Sequence, residues 1–404
     1  MIRVDRWLLP DGIKEILPPT ARRIEYLRRK LLDFYYSWGY ELVMPPLIEY
    51  LESLLTGTGN DLDLETFKVI DQISGRSMGI RADITPQVAR IDAHSLKNQG
   101  TARLCYSNTV LHTTATHPLV SRSPLQIGAE LFGHAGFTSD FEVISLMLES
   151  IRQANIKHAV TLDMGHVAIY RGLIEAVQLK PAQAQELFLL MQTKAVTDID
   201  RLLNRLNLTS SMRSMLSTLP RLHGGIDILA RARQEFAAAP VTVMAGIDAL
   251  ERLARALAAR FPTVRQYFDL AELRGYQYHT GVVFSALTPA FGQPLAKGGR
   301  YDDIGQVFGR ARPATGFSAD LKILIELSGL VVELAQAIRL PAVDDLTAEQ
   351  QQALWQRESE LRATGVRLIA HMPGQIEDTG VHECRYQLVW RDADWHIDPL
   401  HTPV

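Results

Sequence analysis

A chain of 404 residues in which 42 Lys and Arg face 45 Asp and Glu has a formal net charge of -3, with no field to draw a polyanion, so tRNA is not expected as a partner. With 47% hydrophobic residues the chain can build one large core and one or two smaller units. Cys105 and Cys384 alone make neither a disulfide framework nor a zinc spacing, the N-terminus is charged and broken by Pro10, and no apolar run nears the roughly 20 residues a bilayer requires, so a cytoplasmic protein without metal, cofactor or membrane is expected.

Pro18-Pro19-Thr20 opens a helical pattern with Ile24, Leu27, Leu31 and Phe34 on one face, closing near Gly39. Residues 39–50, GYELVMPPLIEY, read as a short strand ended by a double proline. Residues 79–111 hold two strand-like runs around the helix-like TPQVARIDAHSLK, and residues 125–133 return as a strand. Residues 140–154 form an amphipathic helix, followed by a strand over 158–164. This alternation predicts an α+β domain with a mainly antiparallel sheet.

From 170 to 260 the pattern is helical alone, broken at Pro181, Pro220, Gly224-Gly225 and Pro240, and reads as an insertion into the sheet domain. Strand signals resume at 266–287 and 315–318, with a Gly-rich connection at Gly298-Gly299. Beyond Pro341 the composition shifts: Thr347 and Gln350 suit a capping box for a helix running to Gly365, and VRLIAHM and CRYQLVW are strand candidates. The expected division is a core over 1–330, including the 170–260 insertion, and a small α/β appendage over 341–404.

Residues 103–130, RLCYSNTVLHTTATHPLVSRSPLQIGAE, resemble the ATP-gripping hairpin of class II histidyl-tRNA synthetases, whose pattern is G-P-V-F-R-x-E-R-P. The segment Leu273-Arg274-Gly275-Tyr276-Gln277-Tyr278-His279-Thr280-Gly281 is similar to that family's R-G-L-D-Y-Y-x-G, and Gly298-Gly299-Arg300-Tyr301-Asp302 matches G-G-R-Y-D. Either segment alone is modest; both in order, after the helix, strand and Pro45 that resemble the dimerising first motif, are specific. The resemblance spans residues 8–330 apart from the insertion and implies a class II synthetase-like antiparallel sheet flanked by helices.

It also implies an amino-acid pocket. Arg81-Ala82-Asp83-Ile84-Thr85 stands for R-P-E-G-T, which puts Asp83 and Thr85 at a substrate ammonium with Gln126 as a third contact. Glu130 aligns with the carboxylate that meets an imidazole, Tyr301 with an aromatic wall, and Arg274 with the arginine that faces the amino acid carboxylate. Tyr278 keeps the first tyrosine of the Y-Y pair and His279 replaces the second. Plainer readings stand beside these: Glu130 as a half-buried paired acid, Asp83 as a turn residue, Arg274 as a surface ion-pair partner, and Gly298-Gly299 as a tight turn.

The nucleotide half is different. His112 and Ile323 stand where the family places its two nucleotide-binding arginines, Thr114 replaces a glutamate, and Asp320 takes the place of a glycine in G-F-A-x-G-x-E-R. Neither residue offers the permanently charged fork that matches phosphate oxygens. Losing one such donor costs about 10² to 10³ in rate, and losing two makes adenylate formation negligible.

A synthetase frame without its phosphate clamp is similar to the regulatory subunits of short-form ATP phosphoribosyltransferase. That resemblance implies a non-catalytic subunit of histidine biosynthesis, partnered by the short catalytic subunit in a hetero-octamer built on homodimers, with L-histidine as feedback ligand. A divergent ligase that still activates an amino acid, and a sensor without that partner, are the other readings the residues allow.

Overall fold

The computed structural model describes residues 7–55, 60–114, 121–276, 278–332, 336–372 and 384–400. Ala115 and Thr116 of the hairpin and Gln277 of the glycine segment lie outside the described residues. The chain divides into two compact units, residues 1–330 and 331–404.

The first strands are β1 (Glu41–Leu42), β2 (Ile48–Tyr50), β3 (Phe67–Ile70) and β4 (Ser77–Ile80), the last three forming a small sheet ordered β2-β4-β3. There follow β5 (Ala102–Thr109), β6 (Leu125–Phe132), β7 (Thr161–His166), β8 (His223–Gly224), β9 (Arg265–Asp269), β10 (Val282–Thr288), β11 (Phe291–Arg300) and β12 (Ala314–Asp320). With β1 they make a nine-stranded sheet ordered β1-β5-β6-β12-β11-β10-β7-β9-β8. Only β1 with β5 and β7 with β9 run parallel.

Strand alternation divides this sheet into two chemically distinct faces. Ile127, Ala129, Phe317, Ala296, Phe284, Leu162 and Met164 belong to the main apolar core, shared with the helices Pro18–Ser37, Phe137–Gln153 and Val241–Arg260. The alternate positions, Gln126, Gly128, Glu130, Gly316, Ser318, Lys297, Gly299, Ser285 and Asp163, are polar or small and form the floor of the candidate site. The register fixes their rows: Glu130 faces Gly316, Gly316 faces Gly299, and Gly299 faces Val283.

The first helix follows the expected stripe with one change. Ile24, Leu27 and Leu31 are buried, but Tyr35 rather than Phe34 takes the fourth inner place, its hydroxyl accepting from Ser150 Oγ at 3.2 Å. Phe34 packs half-buried beside it.

The 170–260 region is not helical alone, because His223–Gly224 adds β8 to the sheet edge beside β9. Two residues are too short to leave a period-2 signal. The helices of this region share one continuous core with the sheet, through Leu187, Met191, Ile199 and Leu203.

Gly298 and Gly299 are not a connection or a tight turn; they lie inside β11. A Cβ on Gly298 would lie 2.1 Å from the Gly316 carbonyl oxygen, and one on Gly299 would lie 2.8 Å from His279 Nε2. Close approach of neighbours, rather than a turn, is what these glycines permit.

The second unit has four strands, β13 (Ala337–Leu340), β14 (Arg367–Ala370), β15 (Cys384–Arg391) and β16 (Asp394–Pro399), ordered β14-β13-β15-β16. The helix Ala348–Ala363 starts with the capping box: Thr347 Oγ1 accepts from Gln350 N at 3.3 Å, and Gln350 Oε1 accepts from Thr347 N at 2.9 Å. Leu354, Leu388 and Trp395 form its core, the indole donating to Gln350 O at 3.1 Å.

Candidate functional site

The loop that enters the polar face is fastened at Arg81. Its buried guanidinium donates to Pro45 O at 2.7 Å, Pro46 O at 3.1 Å and Thr109 O at 2.9 Å, tying the double proline to the end of β5. Asp83 Oδ1 then accepts from Thr85 N at 3.1 Å, closing an Asx turn. It also accepts from Gln126 Nε2 at 2.8 Å, while Gln126 Oε1 accepts from Ile84 N at 3.0 Å. Asp83 is half-buried, and its Oδ2 makes no hydrogen bond among the described residues.

Glu130 lies at the centre of this group and is 1% exposed. Thr85 Oγ1 and the Tyr106 hydroxyl each donate to Oε1 at 3.0 Å, and the Tyr301 hydroxyl donates to Oε2. Burial outweighs these donors and pushes the Glu130 carboxyl up to about 8, so it holds a proton at neutral pH. Its oxygens are occupied by the chain's own hydroxyls, so this is a fully enclosed acid rather than a half-buried one.

Asp83, Thr85, Gln126, Glu130 and Tyr301 are thus joined in one network. Arg274, Tyr278 and His279 form a second group, over β11 and β10. Gly275, with φ of 65°, turns the chain so that Tyr278 N and His279 N both donate to its carbonyl, at 3.0 and 2.9 Å. The His279 ring is buried over Gly299, its Nδ1 3.3 Å from Arg274 O, and burial holds its pKa down at about 4. Its imidazole is neutral at pH 7. Tyr278 is 42% exposed and lies against it, ring centroids 4.3 Å apart.

Arg274 is half-exposed but already ion-paired. It meets Glu272 Oε2 at 2.6 Å and Asp163 Oδ2 at 3.3 Å, and donates to Ser285 Oγ at 3.3 Å. Asp163 is pushed up to about 6 by burial and by the neighbouring Asp269, which Lys194 in turn engages.

His112 and Ile323, where the resemblance implies missing clamp arginines, have other uses. The His112 ring holds Ala82 O at 2.9 Å through Nε2, and its backbone N donates to Arg122 O at 2.8 Å, so it pins the loop carrying Asp83 to the hairpin. Ile323 packs half-buried against the main core. Asp320 Oδ1 accepts from Leu125 N at 3.1 Å and Lys322 N at 3.0 Å, and the Lys322 ammonium donates to Ser123 O. Thr114 is exposed.

Four participants were not legible as such. Tyr106 supplies one of the hydroxyls on Glu130, Glu272 and Asp163 hold Arg274, and Lys297 rises from the floor. The period-2 alternation of β5 and β11 relative to Glu130 is the signal that would have found Tyr106 and Lys297. Arg300, at the centre of G-G-R-Y-D, is turned away from this group: it pairs with Asp140 at 2.8 Å and Asp302 at 3.0 Å and donates to Ser139 Oγ at 2.7 Å. Among the described residues no cluster of three or more His, Cys, Asp or Glu is arranged to hold a metal ion, and no helix is long and apolar enough to cross a membrane.

Comparison with known proteins places the chain in a family. Residues 12–324 match the family described as Histidyl-tRNA synthetase, and residues 335–398 match the ATP phosphoribosyltransferase subunit HisZ C-terminal domain. A Pseudomonas putida protein named ATP phosphoribosyltransferase regulatory subunit is 52% identical over 402 residues, 99% of this chain and 100% of that one. The crystal structure of an ATP phosphoribosyltransferase regulatory subunit/histidyl-tRNA synthetase from Bacillus halodurans superposes with a TM-score of 0.79 at 26% identity, covering 94% of this chain and 96% of the other. An ATP phosphoribosyl transferase (HisG:HisZ) complex from Thermotoga maritima matches with a TM-score of 0.57 over 73% of this chain and 96% of its own; at 17% identity that likeness speaks for the fold alone.

Proposed function

The chain belongs to the family of ATP phosphoribosyltransferase regulatory subunits, non-catalytic members of a histidine-biosynthetic enzyme built on a synthetase-like frame, and from that premise we propose that the polar face of the sheet forms a trough that binds L-histidine and relays its occupancy to a short catalytic subunit. The observation that carries this reading is the contrast within one face of the sheet. Asp83, Thr85, Gln126, Glu130 and Tyr301 form a continuous hydrogen-bonded network, whereas His112 and Ile323 serve the loop and the core. Asp83 Oδ2 is an open acceptor for an ammonium, and the half-buried Thr85 lies beside it.

On this reading the chain forms homodimers within a cytoplasmic hetero-octamer and does not aminoacylate. Regulation is linkage: the chain activates its partner in one arrangement, histidine favours another, and each ligand changes the other's affinity by the same factor. Coupling of this kind is typically about 1 to 3 kcal/mol.

The test is a titration of histidine into the purified chain with and without the short catalytic subunit, alongside an assay of that subunit's activity. Activation by this chain, inhibition by histidine and a shifted histidine affinity are expected. Equal affinities without inhibition would sink the proposal, and histidine-dependent exchange of ATP with pyrophosphate above background would overturn the absence of aminoacylation chemistry.

A further inference from the structure

The trough has a charge imbalance that the arginine at its far end does not correct. Arg274 stands where a carboxylate-binding cation would be sought, but its charge is already shared between Glu272 and Asp163, and only Nη1 is left without a hydrogen bond among the described residues. Glu272 and Asp163 together outnumber it. An anionic group approaching Arg274 would meet a guanidinium whose charge is already offset by two largely buried carboxylates.

One cation on the same face is not spent. Lys297 projects from β11, directly opposite Ser285 on β10 and Ser318 on β12, which puts it on the side of the sheet that carries Glu130 and Gln126. It is exposed and makes no hydrogen bond or ion pair among the described residues. Its charge is felt at His279, where it opposes protonation of the ring. From β6, which carries Glu130 and Gln126, to β11 is two strand spacings, about 10 Å, and the four-carbon stem lets the ammonium swing over the floor between them.

We propose that Lys297 supplies the positive charge that receives the carboxylate of the amino acid bound in the trough. The ligand's ammonium lies toward Asp83 and its carboxylate toward β11, so Lys297 and not Arg274 distinguishes an amino acid from the corresponding amine or alcohol. Arg274 is a positioning residue: held by Glu272, Asp163 and Ser285, it fixes the Gly275 turn that seats His279 over Gly299.

This assignment rests on the reading that histidine occupies the trough, and the experiment separates the two. The full-length chain and its Lys297→Met and Lys297→Arg variants are titrated calorimetrically with L-histidine and with L-histidinol, which carries a hydroxymethyl group in place of the carboxylate. Because Lys297 is exposed and supports no neighbour, the variants should fold as the parent does. The expected result is a parent that prefers histidine over histidinol by tenfold or more, a Lys297→Met variant that loses that preference by weakening histidine alone, and a Lys297→Arg variant that keeps it. A Lys297→Met variant with the parent's full preference would overturn the assignment while leaving histidine binding intact. A parent chain that binds neither ligand would overturn both.

Discussion

The Glu130 carboxyl fills the space above Gly316: a Cβ on Gly316 would lie 1.5 Å from Glu130 Oε2. Gly316 is the cross-strand neighbour of Glu130, between β6 and β12, so the absence of a side chain on one strand is what lets the acid of the other lie flat over the sheet. Gly316→Ala is expected to cost about 1 to 3 kcal/mol through overpacking, read from urea unfolding. The cost should shrink in a Glu130→Ala background, because the group that is struck has been removed; an unchanged cost there would place the strain elsewhere.

The same acid sets a pH dependence. Burial raises Glu130 from the usual 4.5 to about 8, so between those values the folded chain holds a proton that the unfolded chain has released. Its contribution to stability is therefore complete below about pH 4.5, declines as pH rises through the window, and is gone above about 8. Glu130→Gln keeps an acceptor and a donor among the three hydroxyls but does not titrate. The melting temperature of the variant should gain on that of the parent as pH is taken from 5.5 to 8.5, while other acids raised by burial, such as Asp163, cancel between the two proteins. Parallel curves would show that Glu130 ionises normally.

Asp83, Thr85, Gln126, Glu130 and Tyr301 were legible through the resemblance to the synthetase motifs, to which the strand period adds that Gln126 and Glu130 share one face. Tyr106 was not, since a tyrosine in a strand reads as core until its cross-strand neighbours are known. The hold on Arg274 was hidden for a related reason: Asp163 is 111 residues away in sequence and arrives through sheet order. The strand β11 was misread because LAKGGRYD has the composition of a turn, and only the packing of Phe284, His279 and the Gly316 carbonyl against its backbone explains why glycines belong in a strand there. Helix boundaries fared better, since Pro18 and the Thr347 cap act locally.

Arg300 shows how a motif residue can be structural. It is buried, paired with Asp140 and Asp302, and bonded to the His134 and Gly136 carbonyls, so it braces β11 against the start of the helix Phe137–Gln153. Asp140→Ala would leave this guanidinium short of its buried partner, and a loss of about 3 to 5 kcal/mol is expected in thermal or denaturant unfolding. A loss below about 1 kcal/mol, the range of exposed ion pairs, would mean that the brace is solvated.

The positions that resemble a nucleotide site should resist conversion into one. Arginine at positions 112 and 323 would return two charges, but His112 currently holds Ala82 O and Ile323 packs on the core, so His112→Arg with Ile323→Arg also loosens the loop and gives up apolar burial. Asp320 opposes them further, because its carboxylate remains on the same face as Gln126, where it accepts from Leu125 N and Lys322 N. At about 4 Å and an effective dielectric near 20, one such charge weighs on the order of 4 kcal/mol against a phosphate oxygen. The double variant is therefore expected to show no saturable ATP binding at millimolar concentrations, and adding Asp320→Gly should tighten binding at least tenfold, at a cost of about 1 kcal/mol in stability from the lost cap. Saturable binding by the double variant with Asp320 in place would mean that this carboxylate is no barrier, and that the two arginine positions alone separate this trough from a nucleotide site.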